Sequence, residues 1–400
     1  VNRKNFLNMT SYESVGTGVT LSVCGWSWQM NQVKWTQTDS KLRMNKFLSV
    51  MALVLATFLS GCGGGGGGGN VNEQVVNSIE TTYSVSTLSL SQPLSSPFGI
   101  SSDSSGNLFV SDTSANLILK LSNLTSATVS VSAYLGDLVS PGSDYSTCDN
   151  SNLYSPFGVV VDNFGDLYLT ESGKNAARYA DCNRALLSNT FSAQYGDQSL
   201  SGPKGVALYG DNLYVSDTGN HRIKLISKTS RGVGSTRLLA GTTSGYVNGA
   251  LLSAAFAQPT GLVVSSGGDV FVADTNNCAI RRISSNEVST FAGAGPNQAG
   301  SVCDSSDGAA TVARFKYPTG IAIDARNILY VADTVSNKIR RITPQGVVTT
   351  IAGTGLSGVT NGAGLSATFN APTGIAVAAN GVIYVIDSGS GKIRKLSPDS

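Results

Sequence analysis

Residues 318–352 read PTGIAIDARNILYVADTVSNKIRRITPQGVVTTIA. Four short runs rich in β-branched and aromatic residues follow one another here, separated by residues such as Gly, Pro, Asn and Asp. The first set of residue types favours strands, and the second favours tight turns. The stretch therefore predicts four consecutive strands and no helix of useful length.

The same pattern occurs six times along the chain, and each copy opens with Pro-x-Gly before an apolar run. The copies start 47 to 59 residues apart, so their length varies in the loops while the strands are retained. Stacked supersecondary units behave in this way. The opening prolines are Pro97, Pro156, Pro203, Pro259, Pro318 and Pro372.

Several segments resemble NHL repeats. They are Tyr-Val-Ala-Asp-Thr from Tyr330, Lys-Ile-Arg-Arg-Ile from Lys338, and Asp-Thr-Gly-Asn-His-Arg-Ile from Asp217. The resemblance extends over residues 97–400. It implies an all-β fold, namely a six-bladed β-propeller of four-stranded blades.

The resemblance also implies that strands from both chain ends close the ring. The sixth copy stops after its third strand, at residues 392–396, and so lacks a fourth. An alternating run at residues 81–90 precedes the first copy and is predicted to complete the last blade. Such closure removes strand edges that would otherwise promote aggregation.

Composition and charge narrow the possible partners. The chain has 46 glycines and only 13% charged residues, which suits an all-β protein with many turns. Residues 1–61 contain six basic and two acidic groups, which leaves 21 basic against 23 acidic residues in the remainder. Without a basic excess there is no general attraction to phosphate backbones, so a nucleic acid is not expected as a partner.

A secretory signal precedes the repeats. From Met44 the chain reads Met-Asn-Lys, followed by an apolar run of about 12 residues and then Leu-Ser-Gly-Cys ending at Cys62. A membrane-spanning helix needs roughly 20 apolar residues, so the run is typical of a signal peptide. The tetrapeptide resembles the lipobox of bacterial lipoproteins. That resemblance implies a signal peptide at residues 44–61 and a diacylglycerol on the Cys62 thiol.

The domain organisation follows from this signal. Residues 62–74 are predicted to be the lipidated cysteine with a Gly-rich tether, because Gly runs behave as flexible coil, and residues 75–400 the propeller. Residues 1–43 hold all three Trp. We interpret them as a disordered upstream extension from a start codon assigned too early, the alternative being a genuine extended signal region. The protein is expected in the bacterial cell envelope, where lipid alone holds it to the membrane. In a cell with two membranes, the outer membrane is the expected location.

An acidic residue follows the second strand of every copy. Recurrence in all six copies favours a structural role, because such a side chain can accept hydrogen bonds from turn N–H groups. The acids are Asp112, Glu171, Asp217, Asp274, Asp333 and Asp387. Four residues after one of them lies His221, the only histidine of the chain. One histidine excludes a multi-histidine zinc site and leaves a single candidate for a Ser-His-Asp arrangement. Since His is common at this position in NHL repeats, the resemblance favours a turn role for His221.

Other motifs point to structure rather than to a cofactor. Residues 353–358 satisfy G-x-G-x-x-G, but no crossover helix follows that could bind a pyrophosphate. Neither a cofactor nor a metal is therefore expected. Three long loops share an ending at Phe256, Phe315 and Phe369, and each Phe is predicted to insert between blades.

Propeller topology separates two candidate disulfides. The loops between second and third strands share a face with the loops between fourth and first strands, and Cys278 and Cys303 fall in one loop of each kind. A disulfide between them is predicted in an oxidising envelope. Cys148 and Cys182 form a second, less favoured pair, because Cys182 follows a third strand and is placed on the opposite face.

The first strands of a propeller line its central channel, so the residue after each opening proline is expected near the channel mouth. We predict a binding site at this ring, and the alternative is plain packing of the channel. Two aromatic side chains, one cation and three hydroxyls form what is called here the channel-mouth ring: Phe98, Phe157, Lys204, Thr260, Thr319 and Thr373.

Two classes of function fit these observations. The favoured one is a non-catalytic, monomeric envelope lipoprotein that presents a propeller face to an unidentified envelope protein or glycan. The other is an enzyme similar to six-bladed calcium-dependent lactonases or peptidylglycine lyases. A single histidine cannot reproduce their metal-binding clusters, so this alternative needs a site of carboxylates and Asn side chains, and no catalytic residue is identified.

Overall fold

The structure is a computed structural model that describes residues 18–23, 26–31, 81–136, 153–180, 200–229, 232–295 and 303–399. The chain divides into two compact units, Val1–Asn77 and Ser78–Ser400. In the first unit, Gly18–Val23 pairs antiparallel with Trp26–Asn31. The interpretation of residues 1–43 as an upstream extension stays a prediction, and residues 44–74 lie outside the described ranges.

The second unit contains six antiparallel sheets, one for each repeat, and it is a six-bladed β-propeller. In every sheet the first strand of the repeat lies at one edge, and the second and third strands follow outward. The first three blades follow. Blade 1 contains Pro97–Ser102, Leu108–Asp112, Leu117–Ser122 and Ser130–Leu135. Blade 2 contains, among the described residues, Pro156–Val161, Leu167–Glu171 and Ala176–Ala180. Blade 3 contains Val206–Tyr209, Asn212–Asp217, Arg222–Thr229 and Gly232–Ala240.

The other three blades have the same order. Blade 4 contains Pro259–Val264, Val270–Asp274, Ala279–Ser284 and Glu287–Ala292. Blade 5 contains Pro318–Ile323, Leu329–Asp333, Lys338–Ile342 and Val348–Ala352. Blade 6 contains Pro372–Val377, Ile383–Asp387, Lys392–Pro398 and Tyr83–Thr87.

The ring is closed by the two chain ends, as predicted. Tyr83–Thr87 lies antiparallel to Lys392–Pro398, with Val85 opposite Leu396. The observed strand is shorter than the predicted run at residues 81–90. A strand from the N-terminal side thus serves as the outermost main strand of blade 6.

Short edge segments cover the outermost strands of several blades. Gly249–Ala250 pairs with the fourth strand of blade 4, and Gly362–Ala363 pairs with the closing strand of blade 6. Each segment belongs to the long loop that arrives from the preceding blade. Because an unpaired strand edge invites intermolecular pairing, these two segments protect the outer edges of blades 4 and 6.

The described residues form no α-helix. They contain short 3₁₀ turns at Thr218–Asn220, Thr275–Asn277, Thr334–Ser336, Gly364–Ser366 and Ser388–Ser390. Within these ranges no helix has the length and apolar character that crossing a membrane requires.

The core is divided among the interfaces between neighbouring blades. Six clusters of buried apolar side chains occur, one at each interface, including the one between blades 6 and 1. The second strands of five blades are buried at every position, because each is covered on both sides by a neighbouring sheet. Phe256, Phe315 and Phe369 are fully buried in these clusters, so the prediction that they insert between blades is confirmed.

Closure can be tested with two substitutions in the closing strand. Val85 is 3% exposed and packs in the cluster between blades 5 and 6, whereas Ser86 points outward and is exposed. Val85→Asp buries a carboxylate without a partner, and we expect it to lower the free energy of unfolding by about 3 kcal/mol. Ser86→Asp is the control and should change it little. Equal urea midpoints for the two variants would show that the closing strand does not stabilise the ring.

Candidate functional site

All six residues of the channel-mouth ring line one cavity at the start of the first strands. The ring therefore forms as the sequence predicted, while its use as a binding site stays a prediction. The cavity has a volume of about 80 Å³. Pockets for organic ligands usually measure roughly 300 to 1,000 Å³, so this cavity admits a small group rather than a whole substrate.

The ring is narrow because each Pro-x-Gly glycine faces a backbone carbonyl of the next blade. A Cβ added to Gly320 would lie 1.9 Å from the carbonyl oxygen of Thr373, and one on Gly374 would lie 2.2 Å from that of Phe98. The same contact, between 1.9 and 2.3 Å, recurs at all six glycines. No side chain fits there, so glycine is required by close approach of the blades.

One side of the ring is aromatic and cationic. The ring centroids of Phe98 and Phe157 lie 4.5 Å apart, and the Lys204 Nζ lies 5.3 Å from the centroid of Phe157. This distance is within the range of a cation–π interaction. Burial lowers the pKa of the Lys204 ammonium. Among the described residues, no acidic side chain forms an ion pair with it.

The other side of the ring consists of threonine hydroxyls. The Thr260 Oγ1 lies 2.6 Å from the Oγ1 of Thr275 and 3.0 Å from the carbonyl oxygen of Thr319. Thr319 and Thr373 make the corresponding contacts in blades 5 and 6. Thr260 and Thr373 are buried, and all three hydroxyls contact protein oxygens in their own blade and in the next one.

A second set of hydroxyls joins five of the six blades to the next. The residue after the recurring acid donates to the carbonyl oxygen of the next opening proline, for example from Thr275 to Pro318 at 2.8 Å. The same bond runs from Ser388 to Pro97 at 2.8 Å and so spans the closure. The remaining donors of this kind are Thr113, Ser172 and Thr218.

The six recurring acids are 0 to 2% exposed, and all of them accept backbone hydrogen bonds. The prediction placed the donors in the turn after each acid. The structure instead places them in the loop that opens the same blade. In each blade the N–H two residues before the opening proline donates to the carboxylate at 2.6 to 2.7 Å. These donors are Ser95, Tyr154, Ser201, Ala257, Lys316 and Asn370. Local turn chemistry could not reveal a partner that lies 16 or 17 residues away.

Sequence reasoning also missed a buried arginine that pairs with the acid in several blades. Arg281 and Arg340 lie 2.7 and 2.8 Å from the carboxylates of Asp274 and Asp333, and all four side chains are inaccessible to solvent. Arg178 and Arg394 pair with Glu171 and Asp387 in the same way. The recurrence of Arg seven residues after the acid was a readable signal.

The buried acids are committed to structure rather than to chemistry. Burial raises the pKa of Asp274 to about 6, while Arg281 and the hydrogen bonds from Asn277 and Ala257 act in the opposite direction. Raised pKa values mark many catalytic acids. Here, however, each carboxylate is 0 to 2% exposed and accepts hydrogen bonds from protein groups. It therefore cannot contact a substrate or exchange protons with one.

His221 is one of four residues that each form a hydrogen bond to the next blade, a contact called here the latch. The four residues Asn116, Asn175, His221 and Asn337 adopt the left-handed conformation and accept a hydrogen bond from the N–H just before the next opening proline. For His221 the acceptor is Nδ1, and the donor is the N–H of Gln258 at 3.0 Å. This contact supports the predicted structural role of the histidine.

In blade 4 a disulfide occupies the latch position. Cys278 adopts the same left-handed conformation and is bonded to Cys303, with 5.8 Å between the two Cα atoms. The predicted disulfide is therefore present, and it links the loop after the second strand of blade 4 to the loop that leads into blade 5. Cys62, Cys148 and Cys182 lie outside the described residues, so the lipidation and the second disulfide stay predictions.

The described residues contain no group of three or more His, Cys, Asp or Glu side chains that could hold a metal ion. The G-x-G-x-x-G segment at residues 353–358 lies in the loop that leads into blade 6.

The comparisons with known proteins agree with this architecture. The NHL repeat family matches residues 200–224 and 256–283. NHL repeat-containing protein 2 of Bos taurus is 28% identical over 300 residues, which covers 64% of this chain and 40% of that protein. The chain therefore contains NHL repeats within a six-bladed propeller, and it spans about two fifths of the length of this relative.

Solved structures show the same fold at low sequence identity. An auxiliary nutrient-binding protein of Bacteroides ovatus superposes with a TM-score of 0.58 at 16% identity, covering 80% of this chain and 78% of that one. A streptogramin B lyase superposes with a TM-score of 0.51 at 18% identity, covering 80% of this chain and 98% of that one. Identities this low indicate a shared fold, and function must be argued from the site.

The glycine contact at the channel is testable with a matched pair of alanine variants. Gly320→Ala would place a Cβ against the carbonyl oxygen of Thr373, so we expect a loss of about 3 kcal/mol in the free energy of unfolding. Gly267 lies in a surface turn, and its Cβ would meet nothing nearer than 3.8 Å. Gly267→Ala should leave urea denaturation unchanged. If Gly320→Ala leaves the free energy of unfolding unchanged, close packing at the channel is refuted.

The histidine latch predicts different effects for two substitutions. His221→Asn retains an acceptor and tolerates the left-handed conformation, so its free energy of unfolding should stay close to that of the parent protein. His221→Ala loses the acceptor and is strained at this φ, with an expected cost of about 2 kcal/mol. Chemical denaturation of both variants measures the difference. Equal losses would show that the hydrogen bond to Gln258 does not matter.

Proposed function

We propose that this protein is a non-catalytic binding protein that uses the face around the channel-mouth ring to hold a protein or glycan. The observation that carries the proposal is the asymmetry of the ring. Six equivalent backbone positions carry Thr in blades 4 to 6 but Phe, Phe and Lys in blades 1 to 3. Packing of a symmetric channel does not require this difference, whereas recognition of an asymmetric ligand does.

Two further features support binding rather than catalysis. The cavity of about 80 Å³ is too small to enclose a substrate, so a ligand must contact the surrounding face. The same face exposes large apolar side chains on its loops, and these provide contact area for a macromolecule. They are Tyr154, Tyr317, Val335 and Leu356.

The proposal includes a place in the cell. The signal peptide at residues 44–61 and the lipobox ending at Cys62 support export and attachment to the bacterial cell envelope by lipid alone. The protein would act there as a monomer. Radiolabelled fatty acid incorporated by the parent protein but not by Cys62→Ala tests the anchor separately from the binding face.

Binding can be tested with variants on opposite faces of the propeller. Phe98→Ala/Phe157→Ala/Lys204→Met removes the asymmetric part of the ring. Phe164→Ala is the control, because Phe164 is 80% exposed in a turn at the far end of the first strand of blade 2. On an array of envelope glycans and peptides, we expect the triple variant to lose at least tenfold in affinity for whatever the parent protein binds.

The control variant should keep the affinity of the parent protein. If the triple variant binds as well as the parent protein, the ring is packing and the proposal is wrong. Circular dichroism and urea denaturation of both variants separate lost binding from lost folding.

A further inference from the structure

Lys204 stands out among the residues that line the channel. It is the only charged member of the channel-mouth ring, and its side chain is half-buried. A partly desolvated ammonium without a counter-charge is unfavourable, so such a group is usually paired. The nearest recurring acids do not supply that charge. Glu171 pairs with Arg178, and Asp217 binds Asn220, Arg222 and the N–H of Ser201.

The cavity beside Lys204 is small and is lined by both polar and apolar groups. In all six blades the first strand is the edge of its sheet on the channel side. Sheet edges can help to form concavities that bind anions. The volume of about 80 Å³ is roughly half of the 150 Å³ that accommodates benzene in an apolar cavity, which leaves room for a group the size of a carboxylate.

The rest of the ring indicates what carries the anion. The half-buried rings of Phe98 and Phe157 offer an apolar wall next to the ammonium. On the opposite side, Thr260, Thr319 and Thr373 form the polar part of the ring, and their hydroxyls bond to backbone carbonyls of the next blade. A ligand with one carboxylate, an apolar face and several hydroxyls matches the ammonium, the aromatic wall and the threonine side of the ring.

We infer that the channel-mouth ring holds the carboxylate of an acidic sugar, with Lys204 as the cationic anchor and the Phe98 and Phe157 rings against the sugar. The inference rests on the proposed function and specifies its ligand class. Only the carboxylate enters the cavity, while the sugar ring lies at the mouth. A neutral sugar lacks the group that Lys204 requires, and a simple carboxylate lacks the part that contacts the aromatic wall.

The test is calorimetric titration of the full chain with glucuronate, glucose and acetate at neutral pH and moderate salt. We expect glucuronate to bind at least tenfold more tightly than either of the other two. Lys204→Met should weaken glucuronate binding at least tenfold. Lys392→Met, which removes the same charge from an exposed position on the third strand of blade 6, should bind glucuronate like the parent protein.

Each alternative outcome has a defined meaning. Equal glucuronate binding by Lys204→Met and the parent protein overturns the inference, as does equal binding of glucose and glucuronate. Tight binding of acetate without a gain for glucuronate shows an anion site but refutes the acidic sugar. If the array detects a ring-dependent ligand that glucuronate does not displace, the proposed function stands and the inference fails.

Discussion

Each blade meets the next where the Cα hydrogens of a glycine face a backbone carbonyl oxygen. This contact recurs six times and includes Gly374 against Phe98, where the ring closes, so every interface along the channel has the same minimum separation. A methyl group at any of these positions would force two sheets apart. The apolar clusters between blades, the hydroxyl bonds to the opening prolines and the narrow channel all depend on this separation.

The propeller frame satisfies its own polar groups. In each blade a buried carboxylate holds the loop that opens the blade, and in four blades a left-handed Asn or His receives an N–H from the next one. The disulfide at Cys278 occupies the corresponding position in blade 4. Among the described residues, the side chains of Phe98, Phe157 and Lys204 take part in none of these hydrogen bonds, whereas Thr260, Thr319 and Thr373 bond to the next blade. Recognition can therefore be built on Phe98, Phe157 and Lys204.

Much of the fold could be predicted from the sequence, because the repeat carries its strands and turns in local patterns. The period gave the six blades, the missing fourth strand of the last copy indicated closure, and the position after each proline indicated the ring. The arginines were missed for a physical reason. Arg281 and Arg340 lie in runs that read as half-exposed strands, and charged residues are rarely buried unless paired. Their burial follows from cover by a neighbouring blade.

The number of blades follows from the number of repeats in the sequence. The order of strands within a blade and the residues that face the channel follow from the local pattern of one repeat. The partners of the acids, the latch at His221, the lack of an ion pair at Lys204 among the described residues and the size of the cavity follow only from the assembled ring. The reason is geometric. These properties join atoms that approach each other only when sheets are packed side by side, and the angle and distance between sheets are set by the closed circle rather than by any single repeat.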